Sequence, residues 1–260
     1  MGRFARALLT ERPPLPALAR RSGYRWAVVG TVCVGAFLGQ LDASIAGLIL
    51  PTLEELLGAG VAAVEWVAIS YLLTLAALVV PFGRLADLVG RKMLYTSGFL
   101  VFILGSALCG AAADLPSLIA FRVLQAVGAA LLQANSVAII TAAVDRRALG
   151  KAIGIQGAAQ AVGLAVGPSV GGFLIVHLGW RWVFYIAVPF GLLGMLLGWL
   201  VLPQSSRRTE EIAARERFDW AGAALFGPAV ALALLALTFG NDWGWGSPAV
   251  LAAAALALAL

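Results

Sequence analysis

Residues 83–95, GRLADLVGRKMLY, separate two long apolar runs at about 61–82 and 93–113. A helix needs about 20 apolar residues to cross the ~30 Å hydrocarbon core of a bilayer. Each flanking run has that length, so the segment reads as a tight connection between two membrane-spanning helices. Its brevity predicts that Gly83 and Gly90 supply the tight turning. Asp87 is placed either to accept from Arg91 or to cap the following helix, where a negative charge is favoured. Any short loop at a membrane surface carries Arg and Lys. That accounts for Arg84, Arg91 and Lys92, but not for an aspartate between paired glycines.

Outward from this connection the pattern repeats. Further apolar runs lie at about 26–50, 115–143, 152–176, 182–202 and 220–240, and another begins at Ser247 and reaches Leu260. Hydrophobic residues make up 62% of the 260 and charged ones only 12%, and the mean hydropathy is +0.95. A water-soluble globule carries about 25% charged residues, so too few are present here to wet a surface of this size. The expected fold class is therefore an all-α membrane protein. The final stretch, SPAVLAAAALALAL, is too short to cross and lacks a closing polar residue. An end there would leave backbone groups unsatisfied in hydrocarbon, so the chain is expected to be part of a longer protein.

The net charge of +5 raises the question of nucleic acid, but the bases are not arranged as a phosphate-binding face. They fall in clusters between the apolar runs: Arg3, Arg6, Arg12, Arg20, Arg21 and Arg25; then Arg84, Arg91 and Lys92; then Arg146, Arg147 and Lys151; then Arg207, Arg208, Arg215 and Arg217. With alternating spans these clusters share one side. The other connections carry Glu54, Glu55, Asp114 and Asp242, with Arg181 as their clear base. The positive-inside rule then places the N-terminus in the cytoplasm. The basic, Pro-rich residues 1–25 lack an apolar core and are not a signal peptide. Cys33 and Cys109 sit inside apolar runs and read as small packing residues.

Two charged residues lie deep within the spans, where an unpaired charge costs several kcal/mol and marks function by default. Asp42 is about 16 residues into the first span, or ~24 Å. Arg122 is about seven residues into the fourth, or ~10 Å. Entering from opposite sides, the two reach similar depth in the outer half. We expect them to share one water-accessible cavity and to be electrostatically coupled, with a purely structural ion pair as the rival reading. Gln125, one turn from Arg122, is placed to bond it or a substrate. Gln133, Asn135, Gln156 and Gln160 either line the cavity or bond between helices. The chain shows no catalytic constellation, phosphate loop or metal cluster, so neither an enzyme nor a cofactor is expected.

In the fifth span, GLAVGPSVGG places Gly163, Gly167 and Gly171 on one helix face, which lets another backbone approach closely. Pro168 removes a helix hydrogen bond and permits a bend, and Gly172 completes a terminal glycine pair.

Several of these stretches resemble motifs of the major facilitator superfamily. GRLADLVGRK is similar to the signature loop G-x-L-A-D-x-x-G-R-K at every motif position. In that family the loop's Asp and Arg latch the two halves on the cytoplasmic side, a role the resemblance gives to Asp87 and Arg91, with Gly83, Gly90 and Lys92 completing the gate loop. GLAVGPSVGG resembles the G-x-x-x-G-P-x-x-G-G element of the antiporter branch. LDASIAGLILP (41–51) resembles the first-span motif L-D-x-T-x-x-N-x-A-L-P of fourteen-span drug:proton antiporters of the QacA/EmrB type. RVLQAVGAA (122–130) resembles R-x-x-Q-G-x-G, whose Arg is linked to proton transfer, and WRWVFYIAVPFG (180–191) resembles W-R-W-x-F-x-x-N-x-P-x-G. Gly47 and Ala187 stand where the family has Asn, and Ala126 where it has Gly, so contacts made by two amides are absent.

The resemblance implies the major-facilitator fold, with a basic tail at 1–25, a six-helix transporter domain at 26–202, a cytoplasmic loop at 203–218 and the start of an inserted helix pair at 219–260. It further implies proton-coupled efflux of drug-like compounds across the cell membrane, with Asp42 and Arg122 in proton coupling. Implied partners are a small-molecule substrate, protons, the lipid bilayer and the C-terminal half of the same transporter. A metabolite or siderophore exporter, or a non-transporting membrane protein, are the alternatives.

Overall fold

A computed structural model describes residues 11, 13–204 and 219–260. Arg3, Arg6, Arg12, Arg207, Arg208, Arg215 and Arg217, most of the 203–218 connection and the side chain of Asp242 lie outside the described residues. Within them, seven helices are long and apolar enough to cross a membrane. The first span is the helix Tyr24–Ala46, continued by a tighter turn at Gly47–Ile49 into a short helix, Leu50–Leu57. The second is Val61–Val89, the third Arg91–Ala111, the fourth Leu115–Ala143 and the fifth Leu149–Leu178. The sixth is divided into Trp182–Tyr185 and Ala187–Val201. The seventh, Trp220–Trp243, runs three residues beyond its apolar stretch, and Pro248–Ala259 follows as a shorter apolar helix.

The connection between the second and third spans corrects one sequence expectation. The second helix runs through Gly83 to Val89, and the third begins at Arg91. The whole turn is Gly90, at φ 118°, a region closed to side chains by their Cβ. Gly83 is helical and turns nothing. Asp87 likewise caps nothing, since the N-cap residue of the third helix is Gly90 and no side chain bonds there.

Other boundaries follow local chemistry. Asp114 accepts from the Ser117 backbone N–H at 2.8 Å, and the Asp114 N–H donates to Ser117 Oγ at 3.3 Å. This reciprocal box satisfies two donors at the start of the fourth span. Hydrogen bonding to the carboxylate from the Ser117 side chain, and from the Ser117 backbone N–H, favours the ionised form and holds the Asp114 carboxyl below its ordinary value. Asp219 accepts from the Gly222 N–H at 2.8 Å and starts the seventh span.

The third span packs most extensively on the fourth, the first on the fifth, and the second on the fourth; the sixth lies against the third and first, and the seventh against the second. Glycine sets the first two contacts. A Cβ at Gly98 would meet Leu131 Cβ at 2.9 Å, and one at Gly105 would meet Gln125 Cα at 2.5 Å. Backbones this close gain dispersion contacts that lipid cannot match. Large apolar side chains such as Leu104, Phe173, Leu193 and Leu237 stay exposed on the outer surface, as lipid contact allows.

At the end where the first span begins, called the basic end below, the chain ties itself to the sixth span. Leu15 N–H donates to Leu200 O at 3.0 Å, Tyr24 OH to Val201 O at 2.8 Å, and buried Lys92 Nζ to Leu202 O at 2.7 Å. Each satisfies a carbonyl that the end of a helix leaves without a partner.

Candidate functional site

Asp42 from the first span and Arg122 from the fourth meet in the interior. Arg122 Nη1 donates to Asp42 Oδ2 at 2.8 Å, with side-chain exposures of 1% and 2%. Gln125 joins them: its Nε2 donates to Asp42 Oδ1 at 2.8 Å, and its Oε1 accepts from Arg122 Nη1 at 2.7 Å. Both carboxylate oxygens are thus bonded by different residues of one helix face. Arg122 Nε donates to Val67 O at 3.2 Å, so the second span holds the guanidinium as well. The guanidinium carbon lies 4.3 Å from the centre of the Tyr71 ring and 5.6 Å from that of Phe184. Gln125 Nε2 also donates to Ser106 Oγ at 3.2 Å, and Ser106 Oγ donates to Phe184 O at 2.8 Å, which brings in the third and sixth spans.

The arrangement departs from the expected shared aqueous cavity, because the pair is closed off. Two buried charges survive here because nearly every polar atom has a hydrogen-bond partner of opposite charge or partial charge. Sequence reasoning missed Tyr71, Ser106 and the Val67 carbonyl. The available signal for Tyr71 was an aromatic with a polar tip at mid-span in a run of aliphatics.

A cleft of about 130 Å³ lies beside the pair. The first span lines it with Gly35, Gly39, Gln40 and Ala43, the second with Tyr71, Leu72 and Leu75, and the fourth with Ala129, Leu132, Gln133 and Ser136. Its walls hold two amides, two hydroxyls and no formal charge.

Of the remaining polar candidates, Gln133 lines this cleft, whereas Asn135 is buried and bonds Leu131 O of its own helix at 2.7 Å. Gln156 is buried in the fifth span and Gln160 half-buried there, and neither lines the cleft. At the basic end Arg91 Nη2 donates to Asp87 Oδ1 at 2.9 Å and Nη1 to Ala138 O at 3.4 Å, a bond between neighbouring spans. Lys92 points the other way, to Leu202 O. In the fifth span Gly163, Gly167 and Gly171 face the first: a Cβ at Gly163 would stand 2.5 Å from Phe37 O, one at Gly167 would overlap Ser44 Oγ, and one at Gly171 would stand 2.8 Å from Ile45 Cγ2. Pro168 lies within this helix without ending it, and Gly172 faces open space.

The sequence profile of the Major Facilitator Superfamily matches residues 32–260. The chain belongs to this superfamily. Superfamily relatives include the riboflavin transporter RibZ of Clostridioides difficile, 37% identical over 82% of this chain and 46% of the relative. The multidrug transporter protein MdtP of Bacillus subtilis is 34% identical over 90% of this chain and 42% of its own length. The tetracenomycin C resistance and export protein of Streptomyces glaucescens is 33% identical over 91% and 44%. The chain thus spans less than half the length of these relatives. Among solved superfamily folds, a bacterial homologue of the human lysosomal transporter Spinster aligns with a TM-score of 0.64 at 19% identity, covering 88% of this chain and 63% of that one. A double-Trp mutant of XylE aligns with a TM-score of 0.63 at 17% identity, covering 88% and 56%.

Proposed function

We propose that the chain is the N-terminal part of a fourteen-span exporter in the cell membrane, which moves hydrophobic drug-like compounds outward in exchange for protons. The observation that carries this reading is the buried Asp42–Arg122–Gln125 cluster, which joins the first and fourth spans beside an uncharged cleft. Protonation of Asp42 removes the negative charge that holds Arg122, so proton binding and the fit of these spans are linked. Coupling then requires only that proton and substrate favour different access states.

In this reading the N-terminus is cytoplasmic, residues 26–202 form a six-helix domain and residues 219–260 begin an inserted helix pair. The missing half of the cavity wall comes from the C-terminal half of the transporter, and rocking of the halves gives alternating access. The Asp87–Arg91 pair, with Gly83, Gly90 and Lys92, serves the cytoplasmic gate, and the Gly163–Gly167–Pro168–Gly171–Gly172 face serves as the antiporter element. The names of MdtP and of the tetracenomycin exporter support export of drug-like compounds. The name of RibZ favours a second reading, transport of a planar endogenous metabolite on the same scaffold.

Cells expressing the full-length gene and loaded with ethidium or riboflavin provide the test. We expect ethidium efflux that stops on adding a proton uncoupler and is lost in Asp42→Asn. Efflux indifferent to the uncoupler refutes proton coupling. Riboflavin movement without ethidium efflux replaces the first reading by the second.

A further inference from the structure

We propose that Tyr71 is the partition between the cleft and the Asp42–Arg122 pair, so that a proton reaching Asp42 from the basic end must pass its ring. The consequence for transport rests on the function proposed above; the partition itself does not.

Tyr71 is one residue with two faces. On one side its ring lies 4.3 Å from the Arg122 guanidinium, and on the other it lines the cleft. It follows Val67 by one helical turn, and Val67 O accepts from Arg122 Nε. Positions i and i+4 share a helix face, so a single face of the second span both binds the guanidinium and covers it.

The direction of closure follows from the helices. The fourth span runs toward the basic end, and its cleft residues begin at Ala129, seven residues or ~10 Å beyond Arg122. The first span runs away from that end, and its cleft residues run from Gly35, seven residues or ~10 Å before Asp42, to Ala43 beside it. The cleft therefore extends from the level of the pair toward the basic end, and Tyr71 stands at the junction. Phe184 covers the guanidinium from the sixth span at 5.6 Å and does not line the cleft.

The Tyr71 hydroxyl makes no hydrogen bond among the described residues, so the ring can swing without breaking one. What holds it is packing and the attraction of a cation for a ring face. A compound that fills the cleft presses on this ring and competes for its position. Occupancy of the cleft and access to Asp42 thereby become one event.

The test is the rate at which an apolar carbodiimide labels Asp42 in the full-length protein in detergent, read by peptide mass spectrometry. Tyr71→Leu is expected to speed labelling about tenfold, which corresponds to ~1.4 kcal/mol of lost closure. Tyr71→Phe keeps the ring and should stay within about twofold of the native chain, as ring closure without the hydroxyl requires. Phe184→Leu removes the other ring over Arg122 and should also leave the rate near native. Tyr71→Met gives the same comparison if the leucine variant does not fold. Native rates in both Tyr71→Leu and Tyr71→Met, or equal acceleration in Phe184→Leu, overturns the partition. Proton leak through liposomes, measured beside labelling, separates the two readings. Fast labelling in Tyr71→Leu with no proton flux in any variant leaves the partition standing and removes proton coupling.

Discussion

Adding one methyl group at Gly105 should force the third and fourth spans apart and loosen the ion-pair cluster. A Cβ there would stand 2.5 Å from Gln125 Cα and 2.6 Å from Gln125 N, against backbone that cannot rotate away. Restoring an ordinary separation of ~3.5 Å requires a shift of about 1 Å. Gln125 bonds Asp42 at 2.8 Å and Arg122 at 2.7 Å. Such bonds weaken beyond ~3.2 Å, so a 1 Å displacement carries both out of range. Overpacking costs ~1–3 kcal/mol and a lost bond to a charged partner ~1.5–3 kcal/mol. With both bonds lost and each cost at its lower end, we expect Gly105→Ala to lose about 4 kcal/mol, or roughly 8–16 °C in the thermal midpoint at ~2–4 °C per kcal/mol. Gly83→Ala is the internal comparison: it is helical with open space around it, and alanine there should gain ~0.5–1 kcal/mol. Purified protein in detergent, melted while tryptophan fluorescence is followed, reads both. If Gly105→Ala melts with Gly83→Ala and keeps its efflux, the close seam does not position Gln125.

Gly167→Ala should destabilise the contact between the first and fifth spans, and Ser44→Gly in the same chain should restore most of the loss, since Ser44 is what the new Cβ meets; a double-mutant cycle of melting midpoints checks this. Lys92→Met removes the bond to Leu202 O, so faster hydrogen exchange at the end of the sixth span is expected, read by mass spectrometry. Asp114 has its carboxyl held below the ordinary value by Ser117. Its contribution is therefore complete above about pH 3.8 and is lost as pH falls through the lower folded value. Asp114→Asn should flatten that part of the stability profile, measured as the melting midpoint between about pH 6 and about pH 3.

The sequence by itself determined that helices cross a membrane, because runs of ~20 apolar residues with few charges have no other stable home. It also singled out Asp42 and Arg122, since a charge in hydrocarbon is too costly to be incidental. It misjudged Gly83, because a glycine at a charged boundary looks the same in a turn as in the last turns of a helix. Gly90 alone carries the positive φ that ends the second span. The partners of the pair were decided only by the tertiary structure. Val67, Tyr71, Ser106 and Phe184 come from the second, third and sixth spans, and helix rotation sets which side chains meet. Rotation depends on where backbones approach, at Gly98, Gly105 and Gly128 in one seam and at Gly163, Gly167 and Gly171 in the other. Apolar runs nearly uniform around the helix carry no such information. The amino-acid order supplied the charges, and close packing of small residues decided how deeply they are enclosed.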